Sequence, residues 1–587
     1  MKLGICILKT LPFFFVLNCL KANKSPFDIS SKSPVSSGFA VLSLLGIGSA
    51  SKSQTFQVTP PSNVSYGVQG TFRLIPGVAI SYKPSVTGTV DSWSISPALP
   101  TGLTFNSQTG EISGTPDTSY LVSGFPLTTF TITAQNSGGL QNFPISLQVL
   151  ASGENVWTII DGVAGANTFG SANSMKYDPV SNSLYAVGMT SGNLDGITIP
   201  STGGTYSGFI SKYDLNGNKI WTKVFGVAAA SHTWVQGLIF DSSGNIYING
   251  SAETGTISGL TVTASSAGYI AKFDQNGNLL WLNSSLPSIR HEGTGVTIDG
   301  SGNLYLSTIV RASALHLTNN SWSDAGLSIV KYNGSTGAYM TSVMLSSAAG
   351  TYRGIEAQAM VADSSGNLFI VAATRTSTYC GTNTANYNPA LFRFNSSLTY
   401  LGCTALPVSG NNTFSVSLSL DTAQSNVYIS GYANGASFES QTVSGSWDAF
   451  LTKLTTASGT KLWTKLIGAS GSVTTGTSTG FDSNGYVYLA GMTSASLGTQ
   501  TIAGSQDMFI AKYDSAGTLQ WVKLQGIQGG SSHGGCQIPA NPGGCSSAVS
   551  FDSNNTLYTS GATNGTISGV SNPASPNSSL FLVRNVK

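Results

Sequence analysis

Short stretches of alternating apolar and polar residues, separated by polar turns, run through most of the chain. Thr128-Thr-Phe-Thr-Ile-Thr-Ala134 alternates with the period of two that is typical of a half-buried strand. Phe143-Pro-Ile-Ser-Leu-Gln-Val149 follows it after a short polar turn. No long stretch shows the 3.6-residue apolar period of an amphipathic helix. The pattern therefore predicts an all-β protein built from many short strands.

From residue 156 the pattern becomes a repeat of about 62 residues. Each copy has an Asp-led turn that runs into a strand, as in Asp241-Ser-Ser-Gly-Asn-Ile-Tyr-Ile-Asn-Gly250. A segment such as Phe209-Ile-Ser-Lys-Tyr-Asp214 follows, then a Gly turn and a strand with Trp, whose place Tyr339 and Leu401 take in two weaker copies. The Asp-led turn occurs seven times, at Asp178, Asp241, Asp299, Asp363, Asp421, Asp482 and Asp552.

The Trp-bearing strand is displaced at one end of the repeat. The chain ends before a seventh copy, but Val156-Trp157-Thr-Ile-Ile160 precedes the first Asp turn and matches Ile220-Trp221-Thr-Lys-Val224. An open array would leave unpaired strand edges at both ends, whereas pairing of the first strand with the last unit closes a ring. The phase therefore predicts a seven-bladed β-propeller with four-stranded blades over 153–587. It also places all the long connections on one face.

Two segments resemble known families. The repeat is similar to the bacterial SBBP β-propeller family, with its D-x-x-G-N-x-Y-x-x-G and F-x-x-K-x-D-x-x-G-x-x-x-W pattern. Upstream, Leu99-Pro-Thr-Gly-Leu-Thr-Phe-Asn-Ser-Gln-Thr-Gly-Glu-Ile-Ser-Gly-Thr-Pro116 resembles the family named Putative Ig domain, whose hallmark is LPxGLxxxxxTGxIxGTP. This second resemblance implies an Ig-like β-sandwich over 55–152 that acts as a spacer or a binding module.

The N-terminus has the order of an export signal. Lys2 and Lys9 precede an apolar run that is too short to span a bilayer. Val16-Leu17-Asn18-Cys19 resembles a bacterial lipobox, and the Ser- and Pro-rich stretch after it is similar to that of spirochaete surface lipoproteins. We expect a signal peptide at 1–18, a lipid on Cys19, a flexible linker over 19–54, and a location at the outer membrane or cell surface. The alternative is an ordinary signal peptide with a chance Cys.

Composition limits the function and supports export. Only 9% of the residues are charged and the net charge is +2, which leaves no basic field for nucleic acid. Without Cys6 and Cys19 the number of cysteines is even, which in an exported chain suggests two disulfides. Nearest-neighbour pairing predicts Cys380–Cys403 and Cys536–Cys545.

No catalytic, cofactor or metal-binding motif is found in the sequence, so we expect a non-enzymatic adhesin or interaction scaffold without a cofactor. Its partners would be the membrane, through the lipid, and a host or matrix protein or a glycan. Binding is expected on the long-loop face, whose candidate residues are His232, Trp234, His291, Trp322, Tyr379, Trp447 and His533. Two alternatives stay open: a carbohydrate-binding module that stacks sugars on these aromatic residues, and a propeller-based hydrolase or lyase.

Overall fold

The computed structural model describes residues 57–68, 70–203, 205–228, 231–284, 291–311, 325–345, 355–374, 380, 388–406, 413–528, 530 and 547–587. Strands form nearly all of its regular structure. The helices within these ranges are short, at Tyr120–Ser123 and Leu194–Gly196. The prediction of an all-β protein is therefore confirmed.

Two small sheets form the N-terminal module, residues 62–150. The larger has the order Thr71–Leu74, Gly139–Val149, Phe125–Asn136, Ser92–Ser96, with the first pair parallel and the others antiparallel. The smaller has the order Ile80–Tyr82, Ile112–Gly114, Leu103–Phe105, and a separate pair joins Ser62–Ser65 to Ser85–Thr87. Leu103 of the smaller sheet packs on Phe130 and Leu147 of the larger one. The two sheets thus share a core.

From residue 155 onwards, the strands in the described ranges form seven four-stranded antiparallel sheets, numbered here 1 to 7. Sheets 1 to 6 keep the chain order of their strands, and sheet 7 is given from its inner to its outer strand. The strands are Thr168–Asp178, Ser183–Thr190, Ser207–Tyr213 and Lys219–Phe225 in sheet 1; Thr233–Phe240, Ile246–Ala252, Ala267–Phe273 and Leu279–Asn283 in sheet 2; His291–Ile298, Asn303–Arg311, Ala325–Asn333 and Tyr339–Leu345 in sheet 3; Ile355–Ala362, Leu368–Thr374, Asn388–Phe394 and Tyr400–Ala405 in sheet 4; Thr413–Leu420, Asn426–Ala433, Asp448–Thr455 and Lys461–Ile467 in sheet 5; Thr474–Phe481, Val487–Thr493, Asp507–Tyr513 and Leu519–Gln525 in sheet 6; Ser547–Phe551, Leu557–Thr563, Ser579–Asn585 and Asn155–Asp161 in sheet 7. Three short strand pairs accompany them: Gly255–Ile257 with Leu260–Val262, Ser437–Phe438 with Gln441–Thr442, and Ile527–Gln528 with Thr566–Ile567.

Sheet 7 takes its outer strand from the N-terminal side of the repeat. Asn155–Asp161 pairs antiparallel with Ser579–Asn585, and Thr158 lies opposite Val583. The first strand of each sheet lies against the first strand of the next, and that of sheet 7 lies against that of sheet 1. The first strands therefore surround a common axis, and the fourth strands lie outermost.

This pairing creates a split copy of the repeated Gly turn. In sheet 2 the N–H of Gly277 donates to Asp274 O at 3.0 Å. In sheet 7 the N–H of Gly153 donates to Val586 O at 2.6 Å, and Val586 N–H donates to Glu154 O at 2.9 Å. Both glycines have a positive φ, 77° and 81°. Two distant parts of the chain thus rebuild the turn that joins the third and fourth strands of the other sheets, in which sheet 4 has Leu398 in place of the Gly.

A basic residue of the third strand ties several sheets to the next. Lys272 Nζ lies 3.3 Å from Gly334 O, in the Gly turn of sheet 3, and 3.4 Å from Asp241 Oδ2 of its own sheet. The same donation runs from Lys331 to Ser396 O at 3.0 Å, from Arg393 to Ala457 O at 2.7 Å and from Lys453 to Ser515 O at 3.1 Å. The Lys of the repeated motif is therefore a structural residue that holds neighbouring sheets together.

Outer-strand Trp residues donate to the same turns. Trp157 Nε1 donates to Leu215 O at 3.2 Å, which joins sheet 7 to sheet 1. Trp463 Nε1 donates to Ser515 O at 3.3 Å, which joins sheet 5 to sheet 6. The displaced N-terminal strand therefore makes the same contact across the closure as an ordinary outer strand makes elsewhere.

Sheets 3 and 4 differ from the sequence-based alignment, by two residues in sheet 3 and by one residue in sheet 4. Thr341 and Gly402, rather than Tyr339 and Leu401, lie opposite the basic residue of the third strand. The turn of sheet 3 is one residue longer than that of sheet 2, because Asn333 N–H donates to Ala338 O, whereas Asp274 N–H donates to Asn278 O. The Trp position is thus occupied by small residues in these two sheets.

Candidate functional site

The turns and the longer connections fall on opposite faces of the seven sheets. Antiparallel order places the Asp-led turn and the Gly turn of each sheet on one side, here called the tight-turn face. The connections after the second and fourth strands lie on the other side, here called the long-loop face. This agrees with the orientation that the phase of the repeat predicts. Because Gly153 belongs to the split turn, the N-terminal module joins the sheets at the tight-turn face.

Hydrogen bonds hold the N-terminal module to the closing strand. Arg73 Nη2 and Nε donate to Asn155 O at 2.6 and 3.1 Å. Ser152 N–H donates to Leu121 O at 2.9 Å. The module is therefore tied to the first residue of the strand that closes sheet 7.

The Asp-led turns are held by their own hydrogen bonds. Asp241 Oδ1 accepts from the N–H groups of Ser243 and Asn245 at 3.0 and 2.9 Å, and Oδ2 accepts from Asn245 Nδ2 and Tyr247 Oη. Burial by itself would raise the pKa of Asp241, but these hydrogen bonds outweigh it and hold the pKa below its usual value. The carboxylate is used by its own turn and by Lys272, which gives the tight turns a structural role.

Four aromatic side chains, the aromatic row, lie in contact at the long-loop face of sheets 1 and 2. The rings of His232 and Trp234 are 5.1 Å apart and inclined by 26°, and those of Tyr206 and His232 are 5.5 Å apart and inclined by 29°. Phe169 meets Tyr206 at 5.4 Å and 61°. All four side chains are partly exposed. The structure thus brings the predicted candidates His232 and Trp234 together and adds two rings from sheet 1.

Backbone contacts fix the centre of the row. His232 Nδ1 accepts from Tyr206 N–H at 3.2 Å, so the neutral ring carries its hydrogen on Nε2. His232 N–H donates to Glu253 Oε2 at 2.7 Å, and Glu253 N–H donates back to His232 O at 3.0 Å. The result is a preformed apolar surface with a carboxylate beside it, which suits a ligand with an apolar face and polar edges.

Trp447 is buried and does not present its ring to a ligand, which corrects the prediction that it is a binding residue. Its exposure is 8%, and its ring packs on Tyr432 at 5.2 Å and on Phe414 at 5.8 Å. Its backbone bridges to Val473, just before the first strand of sheet 6. The residue therefore fills the space between two sheets.

His291 is also corrected as a ligand-binding candidate, because it has no exposed surface. It begins the first strand of sheet 3, and a Cβ on Gly268 would lie 3.0 Å from its Cδ2 atom. The ring is therefore packed tightly against sheet 2, and His291 is a packing residue.

The predicted disulfide Cys380–Cys403 is confirmed, with Cα atoms 5.6 Å apart. It links the connection between the second and third strands of sheet 4 to the outer strand of that sheet. The remaining predicted residues lie outside the described residues and stay predictions: Cys19, Trp322, Tyr379, His533, Cys536 and Cys545.

Sequence reasoning missed Lys176, which lies on the first strand of sheet 1. Burial lowers the pKa of its amine to about 8. The available signal was the repeat itself, because Lys176 precedes Asp178 by two residues and the residues at that position in the other units are uncharged. To compare Lys176 with the other units, the first strands must be aligned residue by residue. The repeated motif begins at the Asp and does not define this alignment for the residues before it.

Two other kinds of site were sought in the part of the chain that the structure describes. No group of three or more His, Cys, Asp or Glu residues there is placed to hold a metal ion. Over the same residues, no helix has the length and apolar character needed to cross a membrane.

Two family models match segments of the chain. The model described as Putative Ig domain matches residues 49–150, and the SBBP model, described as Beta-propeller repeat, matches residues 462–498. Both resemblances inferred from the motifs are thus confirmed for these segments. No curated protein matches the chain.

Solved structures match most of the chain at low identity. A quinohemoprotein alcohol dehydrogenase from Comamonas testosteroni is 12% identical with a TM-score of 0.32, over 72% of this chain and 76% of that one. A quinonprotein alcohol dehydrogenase-like protein from Bacteroides thetaiotaomicron is 11% identical with a TM-score of 0.33, over 79% and 96%. An exotype rhamnogalacturonan lyase is 12% identical with a TM-score of 0.32, over 90% and 91%. The chain thus has propeller-like neighbours.

The prediction that the protein is not an enzyme is corrected by these matches. Dehydrogenases and lyases are among the structures that resemble the chain, so the fold does not exclude catalysis. The four structures are 8–13% identical, with TM-scores of 0.28–0.35, and they assign no reaction to this chain.

Proposed function

We propose that the protein is exported, held at the outer membrane or cell surface by a lipid on Cys19, and binds a partner through the long-loop face of a closed propeller. One observation carries this proposal: the chain joins the sheets through Gly153, at the tight-turn face. The module that precedes the sheets therefore joins them at the face opposite the long loops, which supports the long-loop face as the binding surface. Connections on an outward face are free to vary without disturbing the sheets.

The architecture behind this proposal is a single ring of seven blades that follows an Ig-type sandwich. Seven sheets whose first strands contact one another in order, from sheet 1 to sheet 7 and back to sheet 1, support the ring. Two sheets with a common core support the sandwich. The sandwich serves as a spacer, and Arg73 couples it to the closing strand.

The aromatic row is the centre of the binding surface. Large rings held by backbone contacts lose little conformational entropy on binding and bury much apolar area, which is why aromatic residues dominate binding energy at interfaces. Tyr206, His232 and Trp234 combine this property with partial exposure on the long-loop face. A partner that covers the row would bury it as Trp447 is buried between sheets 5 and 6.

Carbohydrate is the second candidate partner, and the row is the observation that favours it. A pyranose has an apolar C–H face, which packs on aromatic rings, and hydroxyl edges, which need hydrogen-bond partners. Glu253 and the Nε2–H of His232 are beside the rings. A host or matrix protein would instead need a larger part of the face, of about 800 Å² per partner.

Anchoring is tested by Cys19→Ala, by globomycin treatment and by proteolysis of intact cells. The proposal expects the wild-type protein to remain with the membrane fraction and to be cut by external protease. Cys19→Ala should release it from the membrane or leave it as an unprocessed precursor. A wild-type protein that is soluble in the periplasm with or without globomycin would end the anchored proposal.

Binding is tested on arrays of glycans and matrix proteins with the full exported chain. Trp234→Ala should lose the hits, because it removes the end ring of the row. Tyr339→Ala is the matched control, since Tyr339 is 56% exposed on an outer strand away from the row. Glycan hits that depend on Trp234 establish the carbohydrate candidate, and protein hits with the same dependence establish the other. Hits that survive Trp234→Ala would show that the row is not the binding centre.

A further inference from the structure

Lys176 lies beside the axis of the ring, on the first strand of sheet 1, opposite Tyr185. In each other sheet one residue occupies the same register position, opposite the aromatic residue of the second strand. These residues are Ile239, Thr297, Val361, Ser419, Gly480 and Ser550. All six are uncharged, so Lys176 places a positive charge at a position that is neutral in the rest of the ring.

Side chains at this position face the first strand of the following sheet. Thr297 Oγ1 accepts from Ala362 N–H at 2.9 Å, which joins sheet 3 to sheet 4. Ser550 Oγ accepts from Tyr177 N–H at 2.9 Å, which joins sheet 7 to sheet 1. By the same register, Lys176 faces the first strand of sheet 2 at the inner edge of the interface between the two sheets.

Lys176 lies towards the tight-turn end of the first strand of sheet 1, which is Thr168–Asp178. The pairing of the first strand is interrupted between Gly170 and Met175. Within the described ranges, this strand comes within 8 Å, Cα to Cα, of the first strands of sheets 5 and 6 across the axis. Lys176 follows the interruption and precedes the Asp178 turn by two residues, which is about 7 Å of strand. Lys176 is therefore closer along its strand to the tight-turn face than to the long-loop face.

No charged side chain of the described residues pairs with this amine. Among the residues that the structure describes, Lys176 has no hydrogen-bond or ion-pair partner, and burial alone lowers its pKa to about 8. Lys212, also in register with Tyr185, lies over the Tyr185 ring at 5.2 Å. Asp178 accepts from the N–H groups of its own turn.

The facing strand of sheet 2 supplies no charge either. Thr233–Phe240 has no charged residue. Asp241, which follows it, is paired with Lys272 and with its own turn. At neutral pH the Lys176 ammonium is therefore mostly protonated, partly buried and uncompensated, a state that an added anion would stabilise.

We propose that Lys176 binds a small anion, a carboxylate or phosphate group of a small molecule, that enters the axis from the tight-turn face. The anion supplies the countercharge that the described residues do not provide. This site lies on the opposite side of the ring from the aromatic row and does not depend on the partner bound there.

The test measures acetylation of individual lysines on the intact protein by mass spectrometry, at pH 7.5 and constant ionic strength. Chloride is compared with inorganic phosphate, sulfate and acetate. If bound anion raises the pKa from about 8 to about 9, the free-amine fraction falls about eight-fold, and Lys176 reacts about eight-fold more slowly. Lys83, whose side chain is 72% exposed, is the internal reference and should not change.

Two variants extend the test to stability. Phosphate in place of chloride should raise the unfolding temperature of the wild type and of Lys176→Arg, which keeps the charge, by more than that of Lys176→Met, because only the general stabilising effect of phosphate remains in Lys176→Met. Protection by phosphate and sulfate only would assign a phosphate-like ligand, and protection by acetate as well would extend the assignment to carboxylates. If no anion slows Lys176 relative to Lys83, the proposal is wrong. The acetylation assay uses the native chain, so this result does not depend on either variant.

Discussion

Removal of the Trp157 side chain should open the ring at its closure, between sheets 7 and 1. The ring of Trp157 lies 6.0 Å from that of Tyr558, and Nε1 donates to Leu215 O at 3.2 Å. Trp463 is a matched control, because its ring lies 5.7 Å from Tyr428 and it makes the same donation between sheets 5 and 6. The two residues differ in topology: Trp157 belongs to the one described strand that sheet 7 takes from the other end of the chain.

The size of the effect follows from the contacts. Truncation of a buried Trp to Ala costs about 3–5 kcal/mol, and Trp157 is partly exposed, so the lower end applies. If the free energy needed to open strand Asn155–Asp161 falls by about 3 kcal/mol, the backbone amides of this strand exchange on the order of 100-fold faster. Trp157→Phe loses mainly the hydrogen bond, which is worth about 1 kcal/mol.

Hydrogen–deuterium exchange with peptide resolution measures this directly. Trp157→Ala should accelerate exchange in 155–161 and in the paired strand Ser579–Asn585, and should expose residues 151–155 to protease. Trp463→Ala should accelerate exchange in sheet 5 and leave 155–161 as in the wild type. Equal acceleration of 155–161 in both variants, or none in Trp157→Ala, would refute the reasoning that the closing strand opens as a separate unit.

Three further predictions concern stability. Reduction of Cys380–Cys403, which closes a separation of 23 residues, should cost about 3 kcal/mol, seen as a lower unfolding temperature in reductant that Cys403→Ser reproduces. Gly337→Ala should lower the free energy of unfolding, measured with denaturant, clearly more than Gly302→Ala does. Both glycines have a positive φ, at which an Ala costs about 1 kcal/mol, but only at Gly337 would the added Cβ lie 2.7 Å from an indole ring. The pKa of Asp241 is lower in the folded than in the unfolded chain, so the ionised carboxylate stabilises the fold above about pH 4, and this stabilisation is lost as the pH falls. In Asp241→Asn the free energy of unfolding should therefore decrease less steeply with falling pH than in the wild type. An unchanged decrease would contradict this role of Asp241.

The sequence predicts much of the ring because the repeat carries its own phase. The displaced Trp157 strand follows from the order of the motifs, and so does the separation of tight turns from long connections. The split turn of Gly153 and Val586 is less visible, because its two halves lie at opposite ends of the repeat and neither half has the Asp that begins this turn in sheets 1, 2 and 6. Its detection needs the strand pairing, which places both halves in one turn.

The candidate site is harder to predict, because distant residues decide which aromatic rings are exposed. Trp234 and Trp447 both stand beside long connections, yet Trp447 is covered by sheet 6 while Trp234 stacks on His232. The other rings of the row, Phe169 and Tyr206, come from sheet 1 and have no motif of their own. Local sequence therefore gives a list of aromatic residues but does not separate packing from binding.

The split turn also bears on how a pull at the N-terminus is transmitted. If the chain is anchored as proposed, force on its N-terminus passes through the module, which contacts Asn155 through Arg73, and reaches the closing strand before the other strands of the sheets. The other strands of the seven sheets follow this strand in the chain. Accelerated exchange in 155–161 would therefore be the first sign of mechanical opening as well as of mutational damage.

The most direct test of the account is the affinity of a partner found on the arrays for variants on both faces. Affinity for Trp234→Ala and His232→Ala, on the long-loop face, should fall at least about ten-fold, which corresponds to about 1.4 kcal/mol. Asn276→Ala, in a Gly turn of the tight-turn face, and Tyr339→Ala, on an outer strand, should bind within about two-fold of the wild type. Normal binding by the first pair together with loss of binding by Asn276→Ala would contradict the central claim that the outward, long-loop face is the binding surface.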